Sequence, residues 1–147
     1  MTRAPGILLG VGLGGFLDGI VLHQILQWHH MLTSTGDHPA STVAGLEANT
    51  LGDGLFHLAT WIATVAGTVL LWRAARRGQM PSGRVLAGLM LVGWGAFQLV
   101  EGLIDHQILG IHHVRGGDER WAYDVAYLAM GAALVAAGLL LLRARPR

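Results

Sequence analysis

Apolar residues gather into four runs, at about 6–30, 51–72, 85–109 and 121–142, with polar residues confined to the connectors and to a few positions inside the runs. Each run is near the roughly 20 residues that a helix needs to cross the hydrocarbon core of a bilayer. The pattern predicts an all-α integral membrane protein, a four-helix bundle forming one transmembrane domain over 1–147. The first run follows Arg3 as in a signal peptide. It continues well beyond a signal h-region and lacks a small-x-small cleavage site, so it is read as a retained helix.

The connectors carry the orientation. The stretch 31–50 holds Thr, Ser, Gly and Pro but no Arg, whereas 73–84 holds Arg73, Arg76, Arg77 and Arg84, and the tail holds Arg143, Arg145 and Arg147. With Arg3, eight arginines fall on one side of the membrane, against Arg115 and Arg120 on the other. By the positive-inside rule the N and C termini are cytoplasmic, in a multi-pass protein of the inner (plasma) membrane. Helices 1 and 3 then run outward, and every histidine and acid falls in the outer half. At a rise of about 1.5 Å per residue, His23, His57 and His106 reach similar depths.

The runs also contain an internal repeat. Shifted by 83 positions, Gly10-Val-Gly12 falls on Gly93-Trp-Gly95 and Asp18-Gly-Ile-Val-Leu-His-Gln-Ile-Leu-Gln-Trp-His-His30 falls on Glu101-Gly-Leu-Ile-Asp-His-Gln-Ile-Leu-Gly-Ile-His-His113, and over 10–30 nine of 21 aligned positions are identical. The bundle is therefore expected to consist of two tandem two-helix repeats of the same orientation, with His23 facing His106 and Asp18 facing Glu101. At about 100° per residue, Asp18, His23, His29 and His30 share one face of helix 1, and Glu101, Asp105, His106, His112 and His113 share one face of helix 3. Gln24 and Gln107 point away from it. Asp53 and His57 are stacked four apart in helix 2, and Asp124 enters with helix 4.

Composition narrows the chemistry. The chain is 52% hydrophobic and only 13% charged, far below the roughly 25% charged residues of a soluble domain. Its arginines form no extended basic face, which argues against nucleic acid as a partner. There is no cysteine, so thiolate chemistry and cysteine-ligated metals are excluded. The 22 glycines, spaced by four at Gly6, Gly10 and Gly14, read as close helix contacts. Histidines and carboxylates on facing helices are how dinuclear carboxylate centres are built, and ionisable groups inside a membrane mark sites more often than scaffolding. The candidate metal ligands are His23, His57, His106, His30, His113, Asp18, Glu101, Asp105, Asp53, Asp124, His29 and His112. This mixture of oxygen and nitrogen suits a divalent transition metal, Fe or Zn first, with Cu(II) compatible.

The motifs Asp18 to His30, Asp53-Gly-Leu-Phe-His57 and Leu99 to Arg115 resemble those of an uncharacterised family of bacterial four-helix membrane proteins, domain-of-unknown-function family 2243, over nearly the whole chain. The resemblance implies a multi-pass bacterial membrane protein and assigns no activity. Three functions follow from the residues. The first is a metalloenzyme of oxidoreductase or hydrolase type, with a mono- or dinuclear centre near the extracytoplasmic face. There His23, His57 and His106 ligate, Asp18, Glu101 and Asp105 bridge or support, and Asp53 or Asp124 orients an imidazole. The second is a metal transporter, sensor or assembly factor without turnover. The third is a carrier of haem b between His23 and His106. The expected partners are the lipid bilayer, a metal ion, and either a second copy of the chain or a membrane enzyme.

Overall fold

In a computed structural model, which describes residues 3–144, the chain is all helical and carries four helices long and apolar enough to cross a membrane. Helix α1 (Ala4–Asp18) starts with proline in its first turn and runs directly into a π-helical segment, Gly19–Ile25. Helix α2 spans Val43–Arg76. Helix α3 (Gly83–Glu101) again continues as a π-helical segment, Gly102–Ile108, and α4 spans Arg120–Arg143.

Two helices begin at side-chain caps. The Thr42 hydroxyl accepts from Gly45 N at 3.1 Å, and Ser82 accepts from Val85 N at 3.4 Å, each satisfying a donor that the first turn leaves open. The Thr42 cap starts α2 at residue 43, earlier than its apolar run at 51 suggests. Its 34 residues make a helix about 50 Å long, so it extends well past a hydrocarbon core of about 30 Å.

The interior is polar and the exterior apolar. Among the described residues, the buried hydrophobics are Leu9, Leu89, Val114 and Tyr127, whereas eleven polar or ionisable side chains are buried. Large apolar residues such as Leu55, Trp61, Ile62 and Leu140 are more than half exposed. That inversion is what a bilayer requires, since lipid rewards no burial of leucine and strongly penalises exposed polar groups.

The helices pack in the order α2, α1, α3, α4: α2 lies against α1, α1 against α3, and α3 against α4, while α4 reaches α1 through the Tyr127 and Asp18 side chains, and α2 reaches α3 through Phe56 and Phe97. The central α1–α3 seam depends on glycine. A methyl at Gly10 would run into the Met90 carbonyl, and one at Gly93 into the Ile7 carbonyl. Backbones this close are the small-residue packing by which membrane helices associate.

Candidate metal centre

Both inner helices change winding where the polar residues begin. The bonds Leu26 N to Val21 O and Leu109 N to Ile104 O, each 2.8 Å, close five-residue turns, and such π-turns occur mostly at functional sites. Each segment then ends on a left-handed residue, Gln27 (φ 49°) in the first half and Gly110 (φ 59°) in the second. Glycine adopts that conformation freely, whereas Gln27 holds it at a steric cost. The reversal returns His29 and His30, and likewise His112 and His113, towards the helix they follow.

Two carboxylates organise these returns with matching contacts. Asp53 Oδ1 lies 2.9 Å from His23 Nδ1 and accepts from Met31 N at 3.0 Å; Asp53 Oδ2 lies 2.6 Å from His30 Nδ1 and accepts from Gln24 Nε2 at 3.2 Å. Asp124 Oδ1 lies 3.3 Å from His106 Nδ1 and accepts from Val114 N at 3.0 Å; its Oδ2 lies 2.7 Å from His113 Nδ1 and accepts from Gln107 Nε2 at 3.5 Å. Both aspartates are buried, at 3% and 1% exposure. Gln24 and Gln107, which a regular 3.6-residue turn aims elsewhere, reach the aspartates because the π-turns shift the phase of everything after residues 18 and 101.

Inside this frame stand two buried groups, Asp18, His23 and His29 in one and Glu101, His106 and His112 in the other, whose ligand atoms lie within 4.8 Å of each other. The groups adjoin through His29 and His112, whose rings stack at 4.8 Å and 10°. These two rings, rather than His23 and His106, meet across the seam.

The groups differ in how their atoms are used. In the first, one side of each residue is held: Tyr127 donates its hydroxyl to Asp18 Oδ1 at 3.1 Å, His23 Nδ1 faces Asp53, and His29 Nδ1 donates to the Val114 carbonyl at 2.8 Å. The other side of each, Asp18 Oδ2, His23 Nε2 and His29 Nε2, is buried without a hydrogen-bond partner. His23 Nε2 and Asp18 Oδ2 are 3.5 Å apart, close to the roughly 3.4 Å that separates two ligands each about 2.1 Å from a tetrahedral ion. Burial, reinforced by the neighbouring His23 and His112, lowers the His29 pKa to about 3, so this imidazole is neutral at physiological pH, as a ligand must be. In the second group, Glu101 Oε1 lies 3.1 Å from His106 Nε2 and 2.8 Å from His112 Nε2, so these atoms are engaged with one another, and Glu101 Oε2, His106 Nδ1 and His112 Nδ1 are the buried atoms without a hydrogen-bond partner.

The remaining expected ligands lie around these groups. His30 and His113 bind the aspartates from half-buried positions. His57 turns its Nδ1 to the Asp53 carbonyl at 2.8 Å and sits against Gly19, outside both groups. Asp105 is half-buried and also outside them. Sequence reasoning missed Tyr127 and Asn49. Asn49 is 1% exposed, accepts from Leu32 N and donates to the His38 and Gly45 carbonyls, all at 2.9 Å, which pins the loop before α2. A tyrosine in the middle of an apolar helix was the available signal for Tyr127.

No curated protein and no solved structure matches the chain. A family model described as predicted membrane protein (DUF2243) matches residues 5–145, which takes in all four helices and both aspartate frames. The chain belongs to that family of membrane proteins.

Proposed function

We propose that the chain binds a divalent transition metal, iron or zinc, at Asp18, His23 and His29, and that Glu101, His106 and His112 hold a second ion beside it. The observation that carries the reading is the convergence of three buried, unpartnered ligand atoms. A buried polar atom without a partner costs about 1–3 kcal/mol, and a cation shared among the three removes that cost at each. Second partners on the opposite atoms, such as Asp53 on His23, orient imidazoles at metal sites and raise their basicity. Asp53 and Asp124 serve in that way, and His30 and His113 complete their frames.

Two imidazoles and one carboxylate leave coordination positions open, the ligand set used for iron in non-haem oxygenases and, with a single open position, for zinc in hydrolases. The reading is therefore a metalloenzyme of oxidoreductase or hydrolase type. Haem b between His23 and His106 has less support, because the His29 and His112 rings each contact both of these residues and fill the space between them.

Protein purified in detergent without added metal is expected to carry stoichiometric iron or zinc by elemental analysis, with no Soret band. Metal-free protein of full thermal stability overturns the reading. Retention of the ion through dialysis against a chelator supports a catalytic centre, and ready release supports metal transport or delivery.

The eight-to-two division of arginines supports a centre towards the extracytoplasmic face of the inner membrane. A reporter fused after Arg77 is then expected to read cytoplasm, and one within 37–47 to read outside. The reverse result puts the centre on the cytoplasmic side.

A further inference from the structure

Because the α1 and α4 backbones stay apart and meet through the Tyr127 and Asp18 side chains, a pocket of about 340 Å³ opens between them over α3. Its walls include Gly14, Trp28, Trp94, Gln98, Tyr123 and Tyr127, and its end reaches Asp18. The mouth is formed by Leu17 and Met130, 46% and 47% exposed, on the outer surface that faces lipid. A molecule therefore enters sideways from the bilayer. An apolar cavity of about 150 Å³ already admits benzene, so this one has room for a substituted ring.

The corresponding gap behind α1 is closed. Phe97 stands where the repeat places Gly14, and its ring packs 5.9 Å from Phe56, which in turn stacks on His23 at 5.5 Å. The opening thus arises at a point where the two halves differ, and the differing residues on that side include polar ones. Gln98 takes the place of Gly15, and with Asp124 aligned on Asp53, Tyr127 takes that of Phe56. Gln98 is only 2% exposed, and its Oε1 has no hydrogen-bond partner.

An acyl chain would leave that oxygen orphaned. The buried atoms left without a partner there, Gln98 Oε1 and Asp18 Oδ2, are both acceptors, so an occupant that brings a donor satisfies them, and the aromatic walls favour a ring to carry it. We propose that the pocket is a binding site for a lipid-soluble phenol or hydroquinone, whose hydroxyl donates to Gln98 Oε1 beside Asp18. The oxidised quinone, with acceptors only, fits poorly. Binding requires Gln98 and the pocket and does not depend on a metal, although the shared Asp18 puts the hydroxyl next to the proposed centre.

The test is equilibrium dialysis under argon with the full chain in phosphatidylcholine nanodiscs, corrected for partition into empty discs. Tetramethylhydroquinone is the probe, and its dimethyl ether and tetramethylbenzoquinone are the controls. The hydroquinone is expected to bind saturably, about tenfold more tightly than either control. Gln98→Leu should abolish that preference. Ala126→Phe, at an exposed position on the pocket rim, should block all three ligands even if the glutamine variant fails to fold. Equal binding of hydroquinone and ether, or binding unchanged in Ala126→Phe, overturns the proposal and leaves a groove for acyl chains. Chelator-treated protein should bind the probe as before, so failure of the metal reading is seen separately.

Discussion

Asp53→Ala is expected to cost the folded protein about 3–5 kcal/mol, the range found when one partner of a buried charged or hydrogen-bonded pair is removed. Its carboxylate meets His23, Gln24, His30 and the Met31 amide, and alanine leaves these without an acceptor at a position 3% exposed. Asp53→Asn should cost less, because one oxygen remains, while its amide confronts a donor. Asp124→Ala is expected to behave alike, given its matching partners, and Asp37→Ala, exposed in the loop, should be silent. Unfolding in mixed micelles, followed by circular dichroism, measures all four. If Asp53→Ala is as stable as Asp37→Ala, the aspartates are not organising centres.

The second large effect concerns metal content. His23→Ala and His106→Ala should each lose most of the bound metal, and the double variant should lose little more than the worse single one. The two groups adjoin through the His29–His112 stack, so disrupting either disturbs both, and effects within a coupled unit are not additive. His38→Ala, outside both groups, is the control. Independent, additive losses would mean two separate sites, and retention of metal in both single variants would falsify the assignment of these ligands.

Much of the architecture is legible in the chain. The four apolar runs mark the four helices because length and hydropathy alone decide what can lie across a bilayer. Histidines and acids mark the interior because such groups are too costly to face lipid. The matched histidine motifs also pointed to residues that carry matched contacts with Asp53 and Asp124. What a regular helical period misses is the winding itself. A projection at 100° per residue is valid to Asp18 and Glu101 and loses phase in the π-turns beyond them, so it aims Gln24 and Gln107 away from the site. It also paired His23 with His106, whereas the left-handed turns at Gln27 and Gly110 bring His29 and His112 together instead. His57 illustrates a different limit. Its depth matches that of His23, yet in its own helix the nearest acceptor is the Asp53 carbonyl four residues back, and depth does not distinguish that bond from ligation. The early start of α2 rests on Thr42, a cap that hydropathy does not register.

The seam between α1 and α3 has a mechanical consequence. Every contact of Asp53 lies within the first half of the chain and every contact of Asp124 within the second, so each half is internally braced. Between the halves run the glycine contacts, the His29–His112 stack, the Tyr127–Asp18 and His29–Val114 bonds, and the Trp28–Tyr123 pair with Arg115 over both rings. The close backbone contacts of Gly10 with Met90 and of Gly93 with Ile7 would be the pivot of any tilt of one half on the other, with the histidines at the far end of the lever. Small tilts there would change the spacing between Asp18 and Glu101 and leave both aspartate frames intact. Such a tilt would be felt first in the spacing of the two ligand groups, where the His29–His112 stack and the Tyr127–Asp18 and His29–Val114 bonds oppose it.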